Sequence, residues 1–296
     1  RGLGDVYKRQ AGGSLKALFE VRDGDNLENF KGKVTKADSY SLTVENISID
    51  NIKSLNLPDK DGKITVNNIS YSYDSWEAQV DAQGNIKSVT FNLSKDKAIA
   101  DPEKTVAEGY LLNAGSAINA RGIPYYMTQL NEFVRNFSEM FNQIESKGQN
   151  LNGDTPPTFF EAITNTAKVY DFSESEAYSK LPDGQTATIN SSSNTYYRMT
   201  AANFSVNKDV MNDVSLFATS TDYVKTDSCD IVDELKKLQS EKTVYRGDKA
   251  ESFLETIISN VSVDTEKAET YNKLYSNLEQ TIANQRTSVS GVDEDE

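Results

Sequence analysis

Histidine is absent from the 296 residues, and cysteine occurs once, at Cys229. Without an imidazole, the Ser-His-Asp and Cys-His mechanisms, the His-Glu-x-x-His metalloprotease site and ordinary His-containing zinc sites cannot be built. One thiol makes neither an internal disulfide nor a Cys-x-x-Cys pair, so Cys229 is expected to be a bystander and stability to come from packing. Basic charge is also scarce, with 31 Lys+Arg against 45 Asp+Glu and a formal net charge of −14. Binding to a phosphate backbone or to anionic lipid needs clustered cations, so neither nucleic acid nor membrane is expected as a partner. No stretch approaches 18 consecutive apolar residues, the length a membrane-spanning helix needs. Hydrophobic residues make up 37%. A chain this long can nevertheless bury about three-quarters of its unfolded surface, and two or three modest domains are expected.

What is present divides by period. Residues 1–10 (RGLGDVYKRQ) carry glycine and charge without any period. They resemble a translated sequencing-adaptor run and are expected to be foreign. The chain opens on Arg and stops at DEDE (293–296) directly after a periodic stretch, so an interior piece of a longer protein is expected, whose missing leader says nothing about export. Leu15, Leu18, Phe19 and Arg22 fall at helical spacing over 11–23, until DGDN at 23–26 breaks it. YSLTV (40–44), ITV (64–66), ISYSY (69–73), EAQV (77–80) and VTFNL (89–93) then alternate apolar with polar between turns, which predicts an antiparallel β-rich domain over 24–120.

Beyond Pro124 the steps of 4, 3, 4, 3 and 4 through Tyr126, Leu130, Phe133, Phe137, Met140 and Ile144 predict a helical rod segment over 121–167. Residues 168–228 read as an irregular, partly β-rich excursion with weak strand signals at 169–172, 187–189 and 196–199. Residues 229–296 read as a further rod segment, whose seam of Ala268, Tyr271, Tyr275, Leu278, Ile282, Gln285 and Val289 cannot be buried by one helix alone. The helices of 125–147 and 266–287 are therefore expected to pack together. The resulting fold class is α+β, a long-helix bundle forming a rod with inserted antiparallel β-rich domains.

Chemistry is hard to place. DKDG at 59–62 superficially suggests a calcium loop but lacks oxygen ligands at the following positions, so a turn is expected. The acids of 293–296 read as a solvated run. Trp76 with Tyr40, Tyr71 and Tyr73 could form an aromatic platform for sugar, yet alternating aromatics in a β domain usually fill its core. The sequons at Asn68 and Asn203 are expected by chance in a chain so rich in Asn and Ser. No catalytic, metal or cofactor residue is expected.

Four blocks in order carry a resemblance: GGSLKALFEVRD (12–23), IPYYMTQLNEFVRNFSEMFNQIESKGQNLNGD (123–154), TFF (158–160) and NQRTSVSGVDEDE (284–296). Together they resemble the flagellar hook-associated protein family of the hook-filament junction. The matching positions are Gly12, Gly13, Leu15, Arg22 and Asp23; Pro124, Leu130, Asn131, Asn142, Gly148, Asn152 and Gly153; Phe160; and Arg286, Ser288, Ser290, Gly291 and Val292. Glu145 and Lys147 depart from the pattern, standing where relatives often have His, and roughly a hundred residues (24–120) separate blocks that are nearly adjacent in shorter relatives.

The resemblance implies a structural adaptor rather than an enzyme. It would be exported through the flagellar type III pathway without a cleaved signal peptide and lie outside the cell in the flagellum. It would assemble with hook protein and the other junction protein, with no cofactor and no small-molecule substrate. Arg286, Ser288 and Ser290 are expected where the rod turns toward the inner layer of the axial structure. Gly291 either supplies a backbone conformation closed to other residues or ends the helix. Two alternatives stand beside this reading. One is another axial protein, flagellin or the smaller junction protein. The other is a glycan- or surface-binding module carried by the β domain. Axial proteins with inserted protease domains need a metal-binding His motif that this chain cannot supply.

Overall fold

The computed structural model describes residues 13–25, 30–115, 118–175, 177–225, 228–241 and 243–290. Within them six antiparallel strands close into a barrel, and six helices accompany it, which overturns the expected long-helix rod carrying an inserted β-rich domain. The barrel strands are β1 (Lys31–Asp38), β2 (Ser41–Glu45), β3 (Gly62–Val66), β4 (Ile69–Val80), β5 (Ile86–Leu93) and β6 (Leu111–Ala114). They run in the order β3-β6-β1-β2-β5-β4, with β4 pairing back onto β3 to close the ring. Closure leaves these strands without a free edge.

Alternation sets which residues face inward. Leu42 and Val44, Ile64 and Val66, and Val89, Phe91 and Leu93 are all buried, and each large apolar side chain so placed contributes about 1.5–3 kcal/mol. On β4 the buried set runs Tyr71, Tyr73, then Trp76, Ala78 and Val80, with the phase changing at a bulge between Tyr73 and Ser75. That bulge lets one long strand serve two partners: 69–73 pair with β3 and 73–80 with β5. A further strand, β8 (Ala187–Asn190), adds to the outer side of β4 at 77–80. The β3–β4 hairpin turns through Asn67 (φ 46°) and Asn68 (φ 62°), the left-handed pair a two-residue turn demands and asparagine tolerates. Gly62 has no substitute: a Cβ there would lie 2.1 Å from the Tyr73 ring.

The helices are α1 (Ser14–Asp23), α2 (Pro102–Ala107), α3 (Ile123–Glu145), α4 (Lys208–Asn212), α5 (Asp230–Ser240) and α6 (Ala250–Ser290). The two-stranded ribbons are β7 (Phe160–Ala162) with β9 (Phe204–Val206), and β10 (Thr243–Tyr245) with β11 (Asp248–Lys249). The predicted strand at 196–199 is instead a 3-10 turn, Tyr196–Arg198, because the Thr195 hydroxyl caps it. The segment after 229 consists of two helices, α5 and α6, with the β10–β11 hairpin between them.

The rod fails as a description because α3 uses both of its faces. Its seam residues Tyr126, Leu130, Phe133 and Phe137 pack against Tyr245, Ala250, Phe253 and Ile257, and lower down Met140, Phe141 and Ile144 meet Ile231, Leu235 and Leu238. The opposite face is polar and also buried. Arg135 donates to the carbonyls of Met199 (2.9 Å) and Leu55 (2.6 Å) and lies 4.3 Å over the Tyr197 ring. Glu132 accepts from Ser54 and takes the Arg246 guanidinium at 2.6 Å, while Glu139 pairs with Lys53 at 2.7 Å. A helix bonded to the barrel along one side and to α5 and α6 along the other is a central strut, with no side left for a coiled-coil neighbour.

Candidate functional site

Two places where the fold presents more than it consumes are the far half of α6 and a polar groove beside β7. The base of α6 is well anchored: Phe253 and Ile257 are buried, the Tyr126 hydroxyl donates to Asp264 at 2.7 Å, and Arg121 reaches the same carboxylate at 3.4 Å. From residue 265 to 289 every residue is exposed. Tyr271, Tyr275, Leu278 and Ile282, at 56, 64, 51 and 49% exposure, form one stripe along a bare helix, extending about 40 Å at 1.5 Å per residue. The expected packing of 266–287 on the helix of 125–147 is therefore not made; α3 touches only the first turns of α6. A helix of this length gains little from its own hydrogen bonds in water and draws most of its stability from a packed face. The stripe is thus an apolar face without a packing partner among the described residues.

Both bare apolar surfaces leave from one end of α3. Helix α1 exposes Leu15, Leu18 and Val21, and its end is clamped to the start of α3, where the carbonyl of Gly24 accepts from the amides of Gly122 (2.8 Å) and Tyr125 (3.3 Å). Asp25 bridges Arg121 across the same junction, and a Cβ on Gly24 or Gly122 would lie within 2.6 Å of backbone oxygens.

The residues singled out by the family blocks fall into four groups. At the clamp, Gly13 precedes α1 with φ 105°, Leu15 is exposed, Arg22 forks onto Asp23 (2.7 and 2.6 Å), and Pro124 occupies the first turn of α3. Along the strut, Leu130 joins the α6 cluster, and Asn131 accepts from the Ala201 amide at 2.9 Å. At its far end, Asn142 donates to the Phe160 carbonyl and the Tyr196 hydroxyl and accepts from the Phe160 amide, locking β7 onto α3. A Cβ on Gly148 would meet that of Ala218 at 2.6 Å, and Asn152 and Gly153 (φ 85°) form a turn on the Asn150 side chain. In the fourth group Arg286, Ser288 and Ser290 lie on the unbroken last turns of α6, where Ser288 donates to Gln285, so the expected bend of the rod is not present at these residues. Gly12, Gly291 and Val292, like residues 1–10, lie outside the described residues.

The aromatic platform resolves as core. Trp76 and Tyr73 are fully buried and both donate to the Pro58 carbonyl (3.1 and 3.2 Å), and Tyr71 is 7% exposed; of the four only Tyr40, 40% exposed, stands outside the core, and one ring makes no platform. The groove is a different matter, and the alternation reading missed it because its walls come from five separate stretches. It is a solvent-open groove of about 690 Å³ between the end of α3, β7, the loop 169–173 and the Tyr196 turn. Phe172 and Tyr196 stack there at 4.2 Å, and Glu161 lines its floor. Burial raises the Glu161 carboxyl above its ordinary value, with Asp209 adding to the effect and Lys208 opposing it.

Among the described residues no group of three or more Asp, Glu, Cys or His could hold a metal ion, and no helix is long and apolar enough to cross a membrane. Compared with protein-family profiles, curated proteins and solved structures, the chain matches none.

Proposed function

We propose that this protein is a structural subunit of the bacterial flagellum, an adaptor at the hook-filament junction, and that it works by helix-mediated assembly and not by catalysis. The observation that carries the reading is the bare stripe of α6, a hydrophobic seam on a helix that none of the described residues covers. The family-block residues support it by their placement: Arg22, Asp23 and Pro124 at the clamp, Leu130 beneath α6, and Asn142 with Phe160 at the base of the strut. In a tubular assembly identical subunits meet through repeating heterologous contacts, which exposed helical seams are suited to make. Hook protein and the other junction protein are the partners in this reading, and the location is extracellular.

Deleting the corresponding gene should leave cells with hooks but without filaments, unable to swim. Restoring the wild-type gene should rescue swimming, whereas a Tyr275→Asp, Leu278→Asp double variant should not, although both side chains are exposed and the purified variant should melt as the wild type does. Filaments on the deletion strain, or full rescue by the double variant, would refute the assembly role.

A further inference from the structure

We propose that the groove beside β7 is a saccharide-binding site, in which the Glu161 carboxylate accepts hydrogen bonds from sugar hydroxyls and Tyr170 supplies an aromatic wall. The argument starts from β7. Phe160 and Glu161 point to opposite faces of this short strand, so Phe160 enters the aromatic cluster of α3 while Glu161 turns to the groove. Glu161 is 7% exposed, and among the described residues its carboxylate has neither a hydrogen-bond donor nor an ion-pair partner. Its oxygens open onto the groove and burial of the rest of the side chain raises the carboxyl, so they are acceptors that ligand hydroxyls can reach.

The rest of the groove narrows the ligand class. Its volume of about 690 Å³ lies inside the roughly 300–1,000 Å³ typical of small-molecule sites. Its walls are fixed before any ligand arrives. Tyr196 is held by its stack on Phe172 and by the 2.7 Å hydrogen bond from Asn142, and Tyr170 by the Arg198 guanidinium 4.8 Å over one face. Carboxylate, hydroxyl and amide groups beside flat rings match a pyranose, which presents hydroxyls at its edge and C–H groups on its faces. An anionic ligand is opposed by Glu161. A small cation is opposed as well, because Lys180 stands on the rim and both oxygens of Asp171 are taken by Ser173.

The test uses the intact chain against an array of neutral and amino oligosaccharides, with maltotriose, xylotriose and chitotriose titrated in solution by calorimetry. Glu161→Gln keeps the shape and removes the charge, and Tyr170→Ala removes the wall; each should weaken the best array ligand about tenfold, with Glu161→Gln melting no lower than the wild type. Tyr275→Ala, on the distant helix, should leave affinity as it is. Tyr170 is only partly buried, so its variant reads out binding even if Glu161→Gln alters folding. The proposal fails if no saccharide binds at millimolar concentration, if binding survives both substitutions, or if spermidine displaces the sugar at equal affinity.

Discussion

Glu145, in the last turn of α3, is 1% exposed, and neither carboxylate oxygen has a hydrogen bond of good geometry, the Ala218 amide lying near but poorly placed. Burial pushes its carboxyl up to about 7, with the backbone of Ala218 pulling more weakly in the other direction. Because the folded value lies above the unfolded one near 4.5, the folded protein binds the extra proton between the two. This group therefore costs nothing below about pH 4.5, costs progressively more as pH rises to about 7, and costs a constant amount above it. At 1.36 kcal/mol per unit the ceiling is about 3.4 kcal/mol, and relaxation around the helix end brings the expected value to roughly 2 kcal/mol.

Glu145→Gln removes the charge without changing the volume. The variant should match the wild type at pH 4.5 and exceed it at pH 8 by roughly 2 kcal/mol, a rise in melting temperature of about 4–8 °C. Asp25, also raised to about 7 by burial, titrates over the same window in both proteins, so the difference between them isolates Glu145. Urea unfolding followed by circular dichroism at pH 4.5, 6 and 8 gives the three points. A variant whose advantage is the same at every pH, or is absent at pH 8, would show that the carboxylate is solvated in solution and that the end of α3 is looser than its burial implies.

Two further substitutions test the packing of the strut. Gly148→Ala places a methyl 2.6 Å from the Ala218 side chain and should cost about 1–3 kcal/mol in thermal unfolding, with Ala218→Gly restoring most of the loss. Arg135→Met leaves the carbonyls of Leu55 and Met199 without their donor and should cost about 2–4 kcal/mol in urea, more than Lys53→Met, whose ammonium is partly exposed.

The strands were legible wherever alternation was clean. The period of 40–44, 64–66 and 89–93 marks β2, β3 and β5, but β4 reads as two pieces because the bulge after Tyr73 shifts its phase. The sequence KGKVTKAD of β1 hides its strand: four of its eight residues are charged and, of its apolar side chains, only Val34 is fully inside. Barrel closure was out of reach for a related reason. It depends on β6 pairing with both β1 and β3, contacts between residues 46 to 82 positions apart that carry no local signature. Helix α3 was legible as a helix and not as a strut, since a heptad seam announces one buried face and says nothing about the opposite one.

That opposite face explains why the seam of α6, legible from its spacing, does not pack on α3 as expected, and why the groove escaped a pattern-based reading. Glu132, Arg135 and Glu139 look like the solvated side of an amphipathic helix; they are buried because loop carbonyls at Leu55 and Met199 and the cations Lys53 and Arg246 arrive from distant segments to pair with them. With α3 saturated on both sides, the seam of α6 beyond Asp264 has no strut left to pack on, although its spacing is as regular as that of α3. The same saturation fixes the end of α3 against β7 through Asn142, and so turns Glu161 outward into the groove. One helix using its polar face as core thus leaves both a bare seam on α6 and an unpartnered carboxylate facing the groove. Neither follows from the apolar period that reveals the helix.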